Sequence, residues 1–181
     1  MDTRYLILRR LVMAVASLAC ADGQAQDVQV NFTGNLLSST CEVSANSSGT
    51  GDATVSLPIV STVALNRVGA RAGRSFWQLQ VGTASNPCLV PRVQVGFRNS
   101  GNVNPAGRLN NAGVANNVDV VLTNRDDGDR DINLVTNANS QVRTVPTDGY
   151  VFLNYAAEYY ATGQAGVGSV STSVQYDIIY P

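Results

Sequence analysis

The C-terminal stretch YVFLNYAAEYYATGQAGVGSVSTSVQYDIIY, residues 150–180, decides the fold class. Its first part, residues 150–161, is rich in aromatic residues and predicts a long β-strand. A turn-rich segment follows at residues 162–168, after which apolar and polar residues alternate. The residues that share one face of this last strand are Val170, Val174, Tyr176, Ile178 and Tyr180. The stretch therefore predicts two β-strands joined by a turn.

The same alternation recurs along the rest of the chain, and no segment has a convincing helical periodicity. The further predicted strands comprise Val28, Val30, Phe32, Gly34 and Leu36; Val55 and Leu57, with Pro58 at a strand end or edge; residues 76–81; Val93, Val95 and Phe97; and residues 118–123. Turn-rich segments separate them at residues 44–52, 99–117 and 124–131. About seven short strands at this spacing predict one antiparallel β-sandwich domain.

Composition and charge exclude most catalytic and nucleic-acid-binding classes. The 181 residues are 44% hydrophobic and 14% charged, and the formal net charge of −1 provides no basic surface for nucleic acid. There is no histidine, and all twelve basic residues are arginine. Ser-His-Asp triads, histidine metal sites and lysine Schiff bases are therefore excluded. We predict no enzyme activity, no cofactor and no metal, and a binding or structural role.

The N-terminal residues 1–21 read as a secretory signal peptide. Arg4, Arg9 and Arg10 provide a positive segment, and the apolar run at residues 11–18 is too short to span a bilayer. Small residues offer a cleavage site after Ala21 or, alternatively, after Ala25. Cleavage removes Cys20 and leaves Cys41 and Cys88. Two cysteines in an exported chain predict one disulfide rather than a metal site.

An acidic turn at residues 126–131 raises the question of a calcium loop. Counted from Asp127, loop positions 6 and 12 should be Gly and Glu but are Ile132 and Ala138. We therefore predict a solvated turn between strands. Trp77 could stack on a sugar, but strand alternation places Phe76 and Trp77 on opposite faces and favours a packing role. Packing is also favoured over a binding patch for the tyrosines Tyr150, Tyr155, Tyr159 and Tyr160.

Two end segments carry a resemblance to a known family. Near the N-terminus, VNFTGNL at residues 30–36 precedes Cys41 and then Val43. Near the C-terminus, YAAEYYATG at residues 155–163 leads into Gly168, the fourteenth residue from the end, and the penultimate Tyr180. In these residues the chain resembles the pilin subunits of chaperone–usher fimbriae, close to the type 1 pilus group.

The resemblance implies an all-β fold: an incomplete immunoglobulin-like β-sandwich lacking its last strand, with an N-terminal donor-strand arm. It divides the chain into a signal peptide at residues 1–21, an arm at residues 22–37 and a pilin domain at residues 38–181. The implied donor-strand residues are Val28, Val30, Phe32, Gly34 and Leu36. The implied C-terminal chaperone-recognition strand carries Gly168, Val170, Val174, Tyr176, Ile178 and Tyr180.

From the residues alone, the segment at 28–36 could instead be the first strand of its own sandwich, which is the commoner arrangement. The resemblance favours an arm that pairs with another copy. It implies a periplasmic chaperone, an outer-membrane usher and other pilin subunits as partners, and a fimbrium at the cell surface as the destination. The expected function is a structural fimbrial subunit that supports adhesion. The alternative is a minor adaptor or tip subunit that itself binds a host surface ligand.

Overall fold

The computed structural model describes residues 41–99 and 101–181. The predicted signal peptide and the predicted arm, with Val28, Val30, Phe32, Gly34 and Leu36, lie outside these residues. The described chain forms β1 (Val43–Ala45), β2 (Arg71–Val81), β3 (Arg92–Phe97), β4 (Leu109–Asn110), β5 (Val118–Asn124), β6 (Arg130–Asp131), β7 (Arg143–Thr144), β8 (Val151–Ala161) and β9 (Tyr176–Ile179). Two short 3₁₀ helices span Thr62–Leu65 and Arg125–Asp127. The predicted all-β class is confirmed.

The strands form two antiparallel sheets. The first has the order β1-β2-β8-β5-β4, with β6 also pairing with β5, and the second has the order β7-β3-β9. In the first sheet, Trp77 lies opposite Tyr155. In the second, Val95 lies opposite Ile178, and β9 pairs with β3 alone among the described strands. One side of the C-terminal strand is therefore a sheet edge.

An aromatic cluster joins the two sheets at the centre of the core. The rings of Trp77 and Tyr155 stack with their centroids 4.7 Å apart. Phe97, from the second sheet, packs edge-on against them at 6.5 Å and 5.8 Å. Trp77 is buried whereas Phe76 is exposed on the opposite face, as the alternation predicts. The predicted packing role of Trp77 and Tyr155 is confirmed, and the fold is a β-sandwich.

A β-bulge interrupts β2 near its start. Its register with β8 shifts between Ala72 and Ser75, and Gly73 in this interval has a φ of 69°. A Cβ at this position would lie 2.8 Å from the ring of Tyr159. Glycine is therefore required both by the left-handed backbone and by the close approach of the ring.

The bulge arranges a charged network on the outer face of the first sheet. Because one extra residue is inserted, Arg71 and Arg74 lie on the same face and both donate to the buried carboxylate of Glu158, at 3.3 Å and 3.1 Å. Arg71 also binds Asp131 at 2.5 Å, and Arg74 lies 3.3 Å from Asp129. Hydrogen bonding to Asp131 raises the pKa of Arg71. The network compensates the cost of burying Glu158.

The acidic turn joins β5 to β6 and is largely exposed, as predicted, but its carboxylates also bind the sheet. Asp129 and Asp131 pair with the sheet as described above. The carboxylate of Asp126 accepts hydrogen bonds from the main-chain and side-chain nitrogens of Asn154, both at 2.9 Å. The residue that pairs within the turn is Asp127, with Arg130. The predicted solvated turn between strands is therefore confirmed. Its ion pairs with Arg71 and Arg74 were not predicted, because these arginines lie on a strand that is distant in sequence.

Strand boundaries also differ from the sequence prediction. β4 and β6 lie within segments predicted to be turns, and β1 overlaps the start of another. Conversely, Val55 and Leu57 belong to no strand of the described chain, and β9 begins only at Tyr176, after Val170 and Val174. The reason is that neither segment forms a ladder in the described residues: positions 52–60 make no main-chain to main-chain hydrogen bond, and positions 170–174 make one, at Ser171. Within residues 41–99 and 101–181, none of the helices has the length and apolarity required to cross a bilayer.

Candidate functional site

A long groove opens between the C-terminal segment and the segment that follows β1. Its volume is about 660 Å³. We call residues 51–57 its N-terminal wall and residues 170–176 its C-terminal wall. Its floor is formed by Trp77 and Leu79 of β2, Leu109 of β4, Val120 and Leu122 of β5, and Ala157 and Tyr159 of β8. Because most of these floor residues belong to the core cluster, the groove is a gap in the sandwich that exposes part of its interior.

The C-terminal segment, residues 170–180, which includes the C-terminal wall, presents every second side chain to the interior. The half-buried residues are Val170, Thr172, Val174, Tyr176, Ile178 and Tyr180, whereas the odd-numbered residues between them are exposed. The predicted face of the last strand is therefore confirmed, with Thr172 added to it. This alternation shows that the segment is extended throughout, although only Tyr176–Ile179 is a ladder-paired strand.

Main-chain hydrogen bonds hold the C-terminal wall along one side only. The N–H of Ala112 donates to the carbonyl of Ser171 at 2.8 Å, and the N–H of Arg98 donates to the carbonyl of Gln175 at 2.8 Å. In an extended chain, the polar groups of successive residues point to opposite sides. The odd-numbered residues thus use the side away from the groove, and the even-numbered residues direct their N–H and C=O groups toward it.

The groove side of this wall is unpaired. In the part of the chain that the structure describes, Val170, Thr172 and Val174 make no main-chain to main-chain hydrogen bond. The side chain of Tyr176 bridges to the other wall, where its hydroxyl donates to the carbonyl of Gly51. An unpaired main chain beside apolar side chains is a sheet edge that can accept another strand.

The N-terminal wall is similarly unpaired. Among the described residues, positions 52–60 make no main-chain to main-chain hydrogen bond. The wall is anchored by side chains, since the hydroxyl of Ser75 donates to the carbonyl of Ser56 at 2.7 Å. Val55 and Leu57 are half-buried and pack on the core cluster. Two open edges thus face one apolar floor.

Two polar side-chain atoms in the groove also have no partner. Trp77 Nε1, on the floor, and Thr172 Oγ1, on the C-terminal wall, are buried without a hydrogen bond to any described residue. Unpaired buried polar atoms are costly, and these two lie in the lining of the same groove. Burial also raises the pKa of Tyr159 on the floor and of Tyr176 on the wall, which keeps both phenols neutral.

A second section of the groove, of about 610 Å³, continues along the C-terminal strand. Its lining includes Ile178, Tyr180 and Cys41. The hydroxyl of Tyr180 accepts a hydrogen bond from the N–H of Cys41 at 3.1 Å. Cys41 and Cys88 are joined in a disulfide with their Cα atoms 5.0 Å apart, so the predicted disulfide is confirmed. The disulfide fixes this end of the groove to the sandwich.

Gly168 lies at the other end, where the C-terminal wall begins. Its φ is 152°, and a Cβ added there would lie 2.6 Å from the main-chain nitrogen of Ala115 and 2.7 Å from Val114 Cγ2. The N–H of Ala115 donates to the carbonyl of Ser169 at 3.0 Å. The absence of a side chain at Gly168 thus allows the two main chains to meet where the wall begins.

Comparison with known proteins identifies the family. The chain is 36% identical over 177 residues to the major fimbrial subunit SMF-1 of Stenotrophomonas maltophilia (strain K279a), covering 93% of this chain and 99% of that protein. It is 32% identical over 183 residues to the F17 fimbrial protein of Escherichia coli, covering 96% and 99%. The chain belongs to the family of chaperone–usher fimbrial pilins. This pilin is a structural subunit of a surface fimbrium.

Two further comparisons bear on this assignment. No family model matches the chain. Among solved structures, the pilin is similar to the crystal structure of the P pilus rod subunit PapA, with a TM-score of 0.57 and 13% identity, covering 79% of this chain and all of that chain. This likeness supports the fold, an incomplete immunoglobulin-like sandwich. The two curated relatives are named a major fimbrial subunit and a fimbrial protein.

The structure places Val170, Val174 and Tyr176 in the C-terminal wall, Ile178 and Tyr180 along the second section of the groove, and Gly168 where the wall begins. It also shows that the site of this pilin is larger. Sequence reasoning missed the floor, the N-terminal wall and Thr172. Val55 and Leu57 were found by their alternation but were assigned to an ordinary strand. No local signal marks the floor residues as groove-lining, because their pattern is that of any buried strand.

Proposed function

We propose that this pilin polymerises by donor-strand exchange, in which residues 28–36 of one subunit fill the groove of the next. In this proposal residues 1–21 are a leader removed on export, residues 22–37 are the donor arm, and residues 38–181 are the acceptor domain. The observation that carries the proposal is the groove itself: an apolar floor between two unpaired main-chain edges. Strand addition at a sheet edge is a known recognition mode, and pilins are one of its examples.

The arm has the side-chain pattern that such a groove requires. Val28, Val30, Phe32 and Leu36 fall on one face of an extended segment, with Gly34 between the last two. Burying these four side chains contributes roughly 2 kcal/mol each. The floor beneath them is formed by aliphatic and aromatic residues of the core. Within the lining of the larger groove section, Asp52 is the one charged side chain, and it is exposed.

Main-chain hydrogen bonds provide the second part of the binding energy. The even-numbered residues of the C-terminal wall direct their unpaired N–H and C=O groups to the groove, and so does one side of the opposite wall. A strand placed between them would form ladder hydrogen bonds worth about 1 kcal/mol each, against the entropic cost of ordering the arm. It would also bring carbonyl groups close to Trp77 Nε1 and Thr172 Oγ1.

The open groove also accounts for the other partners that we propose. An exposed apolar groove with unpaired edges favours aggregation. A periplasmic chaperone that fills the groove until the arm of another subunit replaces it would prevent this, and an outer-membrane usher would be the site of exchange. No catalysis or cofactor is involved in this mechanism. The name of SMF-1 as a major subunit supports a role in the fimbrial shaft rather than as a minor adaptor.

The proposal is tested in the full-length secreted subunit with a matched pair of substitutions. Phe32→Asp places a charge on the face of the arm that enters the groove, whereas Asn31→Asp places the same charge on the opposite face. We expect Phe32→Asp to abolish polymers and Asn31→Asp to retain them, because a desolvated carboxylate costs several kcal/mol. Polymers are measured by size-exclusion chromatography and electron microscopy.

Chaperone co-purification distinguishes donor-strand exchange from the competing arrangement, in which residues 28–36 form a strand of their own subunit. If the arm acts between subunits, both variants should bind the chaperone as the wild type does, since their own grooves are unchanged. Loss of chaperone binding by Phe32→Asp would instead show that residues 28–36 belong to the fold of their own subunit. Equal polymer yields from the two variants would contradict donor-strand exchange.

A further inference from the structure

We propose that successive subunits make a second, head-to-tail contact, in which exposed aliphatic side chains at one pole of the domain meet Leu89 at the opposite pole of the neighbouring copy. This inference rests on the proposed donor-strand exchange. The side chains of the first pole, which we call the apolar collar, are Ile59, Val63, Val114 and Val167. The neighbouring copy thus contributes more than its arm to the fibre.

The collar is unusually exposed for aliphatic residues. Its members are between 73% and 102% exposed. Single exposed aliphatic residues are ordinary, whereas several around one point indicate a contact surface.

A small buried cluster connects the segments that carry the four collar residues. It consists of Leu65, Ala115, Val118, Ala161 and Ala165, with Val60 packed against it. Each collar residue is within two positions of a residue that belongs to this cluster or packs on it. Ile59 directly precedes Val60, and Val114 directly precedes Ala115. Val63 is on the 3₁₀ helix that ends at Leu65, and Val167 follows Ala165 by two positions.

Contacts across the cluster confirm this grouping. The N–H of Ala165 donates to the carbonyl of Leu65 at 2.9 Å, which joins the segments that carry Val63 and Val167. Val114 Cγ2 lies 2.7 Å from where a Cβ of Gly168 would be. Gly168 is the residue at which the C-terminal wall begins, so Val114 places the collar at the corresponding end of the groove.

The opposite pole contains the disulfide and one exposed aliphatic residue. Leu89 is 90% exposed and directly follows Cys88, which is bonded to Cys41. The two poles are connected by β2, which begins beside the small cluster and ends at Val81, paired with Val43. Its 11 residues extend over about 35 Å at 3.3 Å per residue.

The length of chain between arm and domain determines which pole of the donor reaches the collar. The last strand of an immunoglobulin-like sandwich runs antiparallel to the strand before it. An arm in this orientation places Leu36 at the Val170 end of the groove, beside the collar. Cys41 is five positions after Leu36, so it lies within about 18 Å of that end even if the chain is fully extended.

The donor therefore has to present its Cys41 pole, with Leu89, to the collar of the acceptor. Such a contact uses different surfaces on the two partners, so it repeats along the fibre without closing. A few aliphatic side chains would not associate two free subunits. The arm, however, raises their effective concentration, so a weak contact suffices to fix the orientation of neighbouring domains.

The test uses fibres of the full-length secreted subunit carrying paired cysteine substitutions. Leu89→Cys combined with Val167→Cys should give covalent ladders with a short bis-maleimide, stable to boiling in denaturant. The matched control combines Leu89→Cys with Val135→Cys, an exposed valine outside the collar. We expect several-fold more cross-linked dimer from the first pair than from the control, and little from each single variant.

Serine variants supply an independent measurement. Leu89→Ser and Val167→Ser should each shorten the lifetime of assembled fibres in denaturant several-fold, and the double variant should add little to either, because both remove the same contact. Capture of an arm peptide in the groove should be unchanged. Fibres that form normally but show no preferential cross-link and no effect of the serine variants would overturn this inference while leaving donor-strand exchange intact. Failure of the wild type to polymerise would contradict donor-strand exchange itself.

Discussion

The outer face of the first sheet and the groove on its inner face differ in how completely their polar groups are paired. On the outer face, the buried carboxylate of Glu158 binds Arg71 and Arg74, which in turn bind Asp131 and Asp129. In the groove, two main-chain edges and the polar atoms of Trp77 and Thr172 have no partner in the described chain. The charged network of the outer face is paired within one subunit, whereas the groove leaves two main-chain edges open to another strand. Under the proposed donor-strand exchange, this open region is where successive subunits are joined.

The largest expected effect comes from a charge placed in the groove. Val174→Asp puts a carboxylate on the half-buried side of the C-terminal wall, whereas Gln175→Asp puts it on the exposed side. We expect Val174→Asp to destabilise the polymer by several kcal/mol, since any occupant would bury the charge. Gln175→Asp should polymerise normally. The measurement is the denaturant midpoint of polymer dissociation, and equal midpoints would show that the wall does not contact the occupant.

A substitution at the start of the wall tests its close approach to the neighbouring chain. Gly168→Ala should lower periplasmic yield and the stability of the chaperone-bound subunit by about 2–3 kcal/mol, since the Cβ would overlap Ala115 and Val114. Gly101→Ala is the control, because no atom lies within 4 Å of its added Cβ. Thermal unfolding of both variants provides the comparison. A Gly168→Ala protein as stable as the control would exclude the predicted overlap.

The outer face should affect stability but not assembly. Glu158→Gln removes the charge that Arg71 and Arg74 share, and we expect a loss of about 1–2 kcal/mol in unfolding free energy. Asp127→Asn, in the exposed pair within the acidic turn, should change stability much less. Polymer yield at equal folded concentration should be the same for both. A specific polymerisation defect in Glu158→Gln would mean that this face also contacts a neighbouring subunit.

Alkaline pH should have the smallest effect on the stability of the domain, and it should act through the buried tyrosines of the core and the groove. Burial raises the pKa of Tyr155, Tyr159 and Tyr176 above the ordinary value of 10.0. Their contribution to stability is therefore fully present below pH 10.0 and is lost as the pH rises through the higher folded-state pKa values. The unfolding midpoint should be lower above pH 10.0 than below it. Tyr155→Phe should reduce this difference. An unchanged difference in that variant would show that Tyr155 is not responsible.

Much of the fold could be predicted from the sequence because period-two alternation directly reports a half-buried strand. The strands around Trp77, Val95 and Tyr155 were located in this way, and Cys41 and Cys88 indicated the disulfide by their number and compartment. The short strands β1, β4 and β6 were missed because two or three residues are too few to show a period. The ion pairs of the acidic turn were missed because their arginines lie on β2.

The sequence by itself determined the all-β class, the inward face of residues 170–180 and the disulfide, since each depends on side-chain type and local spacing. Only the tertiary structure decided that residues 51–57 and 170–176 face each other across an open floor. Every residue except proline carries the same main-chain donor and acceptor. The amino-acid sequence of a strand therefore does not indicate which of its edges will be paired. That depends on which strands the fold brings alongside, and here the described domain brings none to either side of the groove.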